Sequence, residues 1–146
     1  MQKVANDDFI EYAEMLLALN PNDNHGIREH LSCAYLTRGW PDKTSELTER
    51  YPSDFCGPAL NGILALVTVG REAEARDELL VAMEEDAVAL RMLLAETPRK
   101  PKADESFGIA IGGQQEPWLY RMSAHVRWER DGALAWLNQT WPTSRQ

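Results

Sequence analysis

The sequence is poor in cysteine and histidine and has no long hydrophobic run. Its two cysteines, Cys33 and Cys56, form no CxxC pair and have no clustered histidines beside them, which disfavours a zinc site or a disulfide framework. No segment approaches the roughly 18 uncharged apolar residues of a membrane span, and the start MQKVANDDFIEY lacks the basic and apolar regions of a signal peptide. We therefore expect a cytoplasmic protein with reduced thiols.

Basic residues are also in the minority. Fifteen Lys and Arg against 23 Asp and Glu give a formal charge of -8 and a pI near 4.9. This charge repels phosphate backbones and anionic bilayers, so we expect neither nucleic acid nor a membrane as partner. It would attract a cationic protein, although an acidic balance also serves solubility alone.

Recognisable catalytic motifs are missing as well. The histidines His25, His30 and His125 are scattered, and the first two are five residues apart, which does not place them on one helical face as metal ligands. There is no HExxH, GxSxG or glycine-rich phosphate loop. The acidic run at residues 84–86 is typical of a solvated helix end. We expect no enzyme, no metal and no cofactor.

The sequence does contain strong helical periodicity. Its 146 residues, 44% hydrophobic and 26% charged, predict one globular domain over residues 1–146. Apolar residues recur every three or four positions, as in amphipathic helices. The predicted helices span residues 9–19, 24–39, 42–50, 55–69, 71–83, 86–96, 115–130 and 132–141. Residues 97–113, which include two early prolines and the segment Phe107 to Gly113, predict a loop or an extended segment.

Two kinds of helix-ending residue recur with the same period. Gly39 and Gly70 each close a helix and lie 31 residues apart, and Pro21 and Pro52 have the same separation. Each unit therefore consists of a helix, a glycine turn, a second helix and a stop. Neither helix can bury its apolar face without the neighbouring unit, so the period predicts an all-α stack of antiparallel helical hairpins.

These units resemble the tetratricopeptide repeat over residues 5–96. The stretch from Ala13 to Asp23 reproduces the ending of such a repeat, and Gly70 to Ala75 is similar to its turn and second-helix entry. Thr44 departs from the pattern, since the Gly70 unit has Ala75 at that place. Residues 112–137 look like the carboxyl end of a group of small bacterial proteins of this kind. The resemblance implies a right-handed solenoid, with residues 114–142 as a C-terminal helical cap.

In such a solenoid the first helix of each unit lines a concave groove. Arg28, Asn61 and Arg91 fall there at separations of 33 and 30 residues, and as a ladder they can hold the carboxylate or backbone of a partner peptide. The alternative is that the two arginines form structural ion pairs with Glu29 and Glu96.

Apolar residues on the same helices offer a lining for this groove. Tyr35 and Leu64, with Cys33 and Val67, are the candidates, and their spacing equally fits a core between helices. Near the C-terminus, three tryptophans either cap the open end of the solenoid or anchor a partner: Trp128, Trp136 and Trp141. Trp118 fits either role. Exposed tryptophans there would permit a homodimer through the C-terminal helices.

We therefore expect a scaffold, adaptor or chaperone that binds a partner peptide or helix in the concave groove. The first alternative is an acidic protein that sequesters one dedicated partner, as a secretion chaperone or a toxin-neutralising protein does. Size, charge and helix number are similar to those of class II type III secretion chaperones. The second alternative is a small-ligand binder or enzyme with a pocket between the repeats and residues 107–113.

Overall fold

The protein is helical throughout its described residues. A computed structural model describes residues 2–22, 27–50, 56–101 and 115–141, where it has eight α-helices and no strand. The helices are α1 (Gln2–Leu19), α2 (Ile27–Arg38), α3 (Pro41–Arg50), α4 (Cys56–Thr68), α5 (Glu72–Glu85), α6 (Ala87–Leu94), α7 (Gln115–Arg130) and α8 (Ala133–Thr140). The all-α class is confirmed, and each helix lies where the periodicity predicts one. The segment Phe107 to Gly113 lies outside the described residues.

The turns that set the 31-residue period share one backbone geometry. Gly39 and Gly70 have φ angles of +78° and +83°, a left-handed conformation that glycine adopts without a steric penalty. The Gly39 N–H donates to the Leu36 carbonyl at 3.1 Å, and the Trp40 N–H donates to the Tyr35 carbonyl at 2.8 Å. The turn at Gly70 repeats both bonds. Each glycine therefore ends its helix in a Schellman motif, and the period has a local physical cause.

Helix α4 lies at the centre of the packing. It contacts α3 and α5, its neighbours in the chain, and also α2, α7 and α8. Ten of its thirteen residues are buried, as its apolar sequence predicts. The contact between α2 and α4 is the kind that stacked hairpins make, whereas α7 and α8 return to cover α4 from further along the chain. A regular right-handed solenoid stays a prediction.

Two groups of buried apolar side chains hold the helices together. The smaller one joins α1, α2 and α3, and the larger one joins α4 to α8 with Leu36 of α2. Trp128, Trp136 and Trp141 belong to the larger group and are all buried. Each fills the interior instead of offering an exposed anchor, so a homodimer through these helices would need other residues. None of the described helices has both the length and the apolar character of a membrane span.

Candidate functional site

Asn61 lies in the core, not in a groove. Its side chain has 0% exposure. Its amide nitrogen donates to Ser32 Oγ at 2.9 Å and to Cys33 Sγ at 3.3 Å, and its Oδ1 accepts a bond from the Tyr120 hydroxyl at 2.8 Å. These contacts occupy the amide inside the protein, because a buried polar group needs partners. The side chain of Asn61 on α4 therefore faces α2 and α7 inside the core. The prediction that Asn61 lines a groove as part of a ladder with Arg28 and Arg91 is wrong.

The hydrogen bonds of Asn61 continue into α7. The Trp128 indole nitrogen donates to the Tyr120 hydroxyl at 2.9 Å, so that hydroxyl both accepts and donates. Complete burial raises the pKa of Tyr120 and keeps the phenol neutral. The resulting buried chain runs through α2, α4 and α7, and it fixes α7 on the centre of the fold.

The other predicted site residues do not form one surface with Asn61. Leu64 also has 0% exposure and packs in the larger core, as its alternative role predicted. Arg91 is exposed on α6, and Arg28 is half-buried on α2. Tyr35 is largely buried, and its hydroxyl donates to Glu14 Oε1 at 2.9 Å. Of these four residues, Tyr35 borders a cleft.

That cleft lies between α1, α2 and α3 and has a volume of about 330 Å³. Its charges are balanced: Lys43 Nζ is 3.8 Å from Glu14 Oε1 and 5.5 Å from the centre of the Tyr35 ring. Burial, together with the hydrogen bond to Glu14, raises the pKa of Tyr35. Its lining consists of Glu14, Leu17, Ala18, Leu31, Tyr35, Lys43, Glu46, Leu47 and Arg50. Carboxylates and cations occur here together, which gives no preference for a ligand of one charge.

A second groove lies between α3, α4 and α5, and its charge is of one sign. It has a volume of about 320 Å³. We call it the acidic groove; its apolar floor is formed by Pro58, Ala59, Gly62, Leu66 and Val81, and its polar rim by Ser45, Thr48, Glu49, Glu74, Glu78 and Glu85. Among the residues that the structure describes, no lysine or arginine belongs to this lining. In the sequence these glutamates have the pattern of any solvated helix face. They form the rim of a groove only because α4 packs against both α3 and α5.

Arg71 compensates the charge at one end of the acidic groove. Its Nε donates to Glu74 Oε1 at 2.8 Å, its Nη2 contacts the other oxygen of that carboxylate, and the same Nη2 is 3.8 Å from Glu49 Oε1. The hydrogen bond from Arg71 lowers the pKa of Glu74. Glu78 and Glu85 make no ion pair with any residue of the described ranges. The far part of the groove therefore keeps its negative charge.

A third, smaller cleft of about 180 Å³ brings carboxylates together near the start of α4. Glu29 and Glu116 both line it, and Glu116 Oε1 accepts a hydrogen bond from the Cys56 N–H. Burial raises the pKa of Glu29 and of the Cys56 thiol.

Burial and the nearby carboxylates of Glu85 and Glu116 raise the pKa of Asp86 to about 6. Within the described part of the chain, no three His, Cys, Asp or Glu side chains are placed to hold a metal ion.

Several large apolar side chains are exposed at the surface. On α7 they are Met122, Val126 and Leu119, the last of which also lines the third cleft, and on α1 they are Tyr12, Met15 and Leu19. Leu80 and Val81 are adjacent on α5, and only Val81 borders the acidic groove. The spacing on α1 and α7 is that of a buried helix face, so periodicity alone did not separate these residues from the core.

A scan against protein-family models, a search of curated proteins and a search of solved structures each find no match to this chain. The resemblance to tetratricopeptide repeats thus rests on the residues of the chain itself and stays a prediction.

Proposed function

We propose that the protein is a non-enzymatic binding protein that holds a segment of a partner polypeptide in the acidic groove. The observation that carries the proposal is an apolar floor bordered by carboxylates, in which the side chain of Val81 is 51% exposed. Exposed apolar surface inside a polar rim is the composition of protein interaction sites. The acidic groove replaces the ladder of Arg28, Asn61 and Arg91 as the candidate site.

The shape of the acidic groove favours a polypeptide occupant. Its α5 wall runs from Glu74 to Glu85, a length of about 16 Å at the helical rise of 1.5 Å per residue. A helix of about three turns spans that length and presents several side chains to it at once. Binding along such a wall buries the floor and leaves the rim to set the orientation of the segment.

The biological role that we propose is that of a scaffold, adaptor or chaperone in the cytoplasm. The repeated helical hairpins and their resemblance to tetratricopeptide repeats support this role. Sequestration of one dedicated partner is the second form of the proposal, and it is favoured by the formal charge of -8 together with the carboxylates of the acidic groove. Both forms use the same site.

Site-specific photocrosslinking tests the proposal. The photoreactive amino acid benzoylphenylalanine replaces Val81 in one variant, Leu80 in a second and Val126 in a third, and each variant is illuminated in an extract of the source cells. All three sites are exposed and apolar, but only Val81 lines the acidic groove. We expect a polypeptide adduct from position 81 that is absent from the other two positions. Equal adducts from all three, or none from position 81, would contradict the proposal.

A further inference from the structure

The uncompensated charges of the acidic groove have a regular spacing. Glu78 and Glu85 are seven residues apart on α5, so their backbone positions are separated by about 10.5 Å, or two helical turns. Val81 lies between them on the same wall. The wall therefore presents a carboxylate, an apolar side chain and a second carboxylate in succession.

Arg71 provides an internal example of what these carboxylates bind. Its guanidinium lies between Glu74 and Glu49 and makes two hydrogen bonds with the first of them. Planar donor pairs of this kind match carboxylates well. One end of the groove already holds a cation from the chain itself, whereas the end at Glu78 and Glu85 holds none from the described residues.

Building on the proposed function, we propose that the occupant of the acidic groove is a basic amphipathic helix of a partner protein. Two Lys or Arg side chains about two turns apart pair with Glu78 and Glu85. An apolar side chain between them packs on the exposed side chain of Val81. Charge complementarity selects this partner, because a segment with acidic residues at those positions would place like charges together in a partly desolvated groove.

Each part of the groove has a separate task in this recognition. The carboxylates accelerate encounter and exclude acidic segments, while the apolar floor supplies the surface that is removed from water on binding. A basic segment without apolar residues leaves the floor exposed, and an apolar segment without basic residues leaves both glutamates unpaired. Both features must be present on the same face of the partner helix.

Synthetic peptides of about 14 residues, or four helical turns, test the inference on the full chain. One peptide carries Lys at two positions seven apart with Leu between them. A second has Glu in place of Lys, and a third has Gln in place of Leu. Fluorescence anisotropy of the labelled peptides measures the dissociation constants at low and high salt. We expect the first peptide alone to bind tightly, with an affinity that falls as salt screens the charges.

Two matched variants separate the acidic groove from the overall charge. E78Q/E85Q removes both groove carboxylates, whereas D77N/E84Q removes two exposed carboxylates of α5 with the same spacing, outside the groove. We expect the first pair to raise the dissociation constant at least about tenfold and the second pair to change it less than about twofold. Circular dichroism of both variants checks that their helicity equals that of the wild type.

Equal weakening by the two pairs, or equal binding of the acidic peptide, would overturn the inference. The photocrosslinked segment gives an independent result. An adduct specific to position 81 whose segment has no excess of Lys and Arg would leave the proposed function standing and overturn the basic helix. An adduct in a basic amphipathic segment, lost in E78Q/E85Q and kept in D77N/E84Q, would support both.

Discussion

The Tyr120 hydroxyl donates a 2.8 Å hydrogen bond to Asn61 Oδ1, which joins α7 to α4 across 59 residues of sequence. The same hydroxyl accepts a bond from the Trp128 indole, so a single oxygen satisfies two other buried polar groups. Buried networks of this kind specify one arrangement of the helices, because every alternative leaves a polar atom unpaired. This bond adds to the apolar packing that holds α7 on α4.

Removal of that oxygen tests its importance. Tyr120→Phe leaves both Asn61 Oδ1 and Trp128 Nε1 without this partner in the core, and we expect the free energy of unfolding to fall by about 2 to 3 kcal/mol. Urea denaturation measures the change. Tyr12→Phe on the exposed side of α1 is the matched control and should have little effect. Equal stability of the two variants would show that the buried bonds contribute nothing net.

The left-handed backbone conformation of Gly70 leads to a second prediction about stability. Gly70→Ala introduces a Cβ into open space, since nothing lies within 4 Å, but it keeps the φ of +83° that disfavours side chains. We expect a loss of about 1 kcal/mol, with a smaller loss for Gly70→Asn, because asparagine tolerates this conformation better. Thermal and urea unfolding check the order. Equal losses for Ala and Asn would attribute the cost to something other than backbone conformation.

Asp86 makes the stability depend on pH. Burial, followed by repulsion from Glu85 and Glu116, raises its pKa from 3.8 to about 6. The folded state therefore holds this proton more tightly than the unfolded state, and the contribution of Asp86 to stability is lost as the pH rises from about 4 through 6. Asp86→Asn should flatten the profile over that interval and should be more stable than the wild type at pH 7. Urea denaturation at several pH values measures this, and an unchanged slope would contradict it.

The same carboxyl group links peptide binding to pH. A cation held by Glu85 weakens one of the repulsions that raise the pKa of Asp86, so binding lowers that pKa and releases a proton. The affinity of the Lys and Leu peptide should therefore increase as the pH rises through about 6. Anisotropy titrations above and below that pH test this in the wild type and in Asp86→Asn, which should lose the dependence. The opposite slope would place the cation away from Glu85.

The two cysteines should differ in reactivity. Cys56 is buried, and burial raises the pKa of its thiol, so little of the reactive thiolate forms. Cys33 is partly exposed. Iodoacetamide labelling followed by peptide mass spectrometry should modify Cys33 first in the folded protein and both cysteines in urea. Prompt modification of Cys56 under native conditions would contradict its burial in the larger core.

Sequence pattern located the helices and their turns because those signals act over a few residues. The glycines that follow α2, α4 and α7 and the apolar spacing within each helix predicted the positions of α2 to α8 closely. Only the start of α1 was missed: it begins at Gln2, whereas the prediction begins at residue 9, since the residues between them are mostly polar.

The sequence alone determined an acidic, all-α chain with a repeated helix and turn unit, since helical spacing and left-handed glycines are local properties. Tertiary structure decided which polar residues are buried and which apolar residues are exposed. The spacing of Asn61 predicted a groove residue, but in the folded protein its side chain is buried and bonded to Tyr120. Leu19 belongs to the apolar pattern of α1, yet its side chain is 77% exposed. Glu78 and Glu85 border a groove only because α4 packs against both α3 and α5. The surface that a helix face meets is supplied by residues far away in the chain, and no local spacing encodes it.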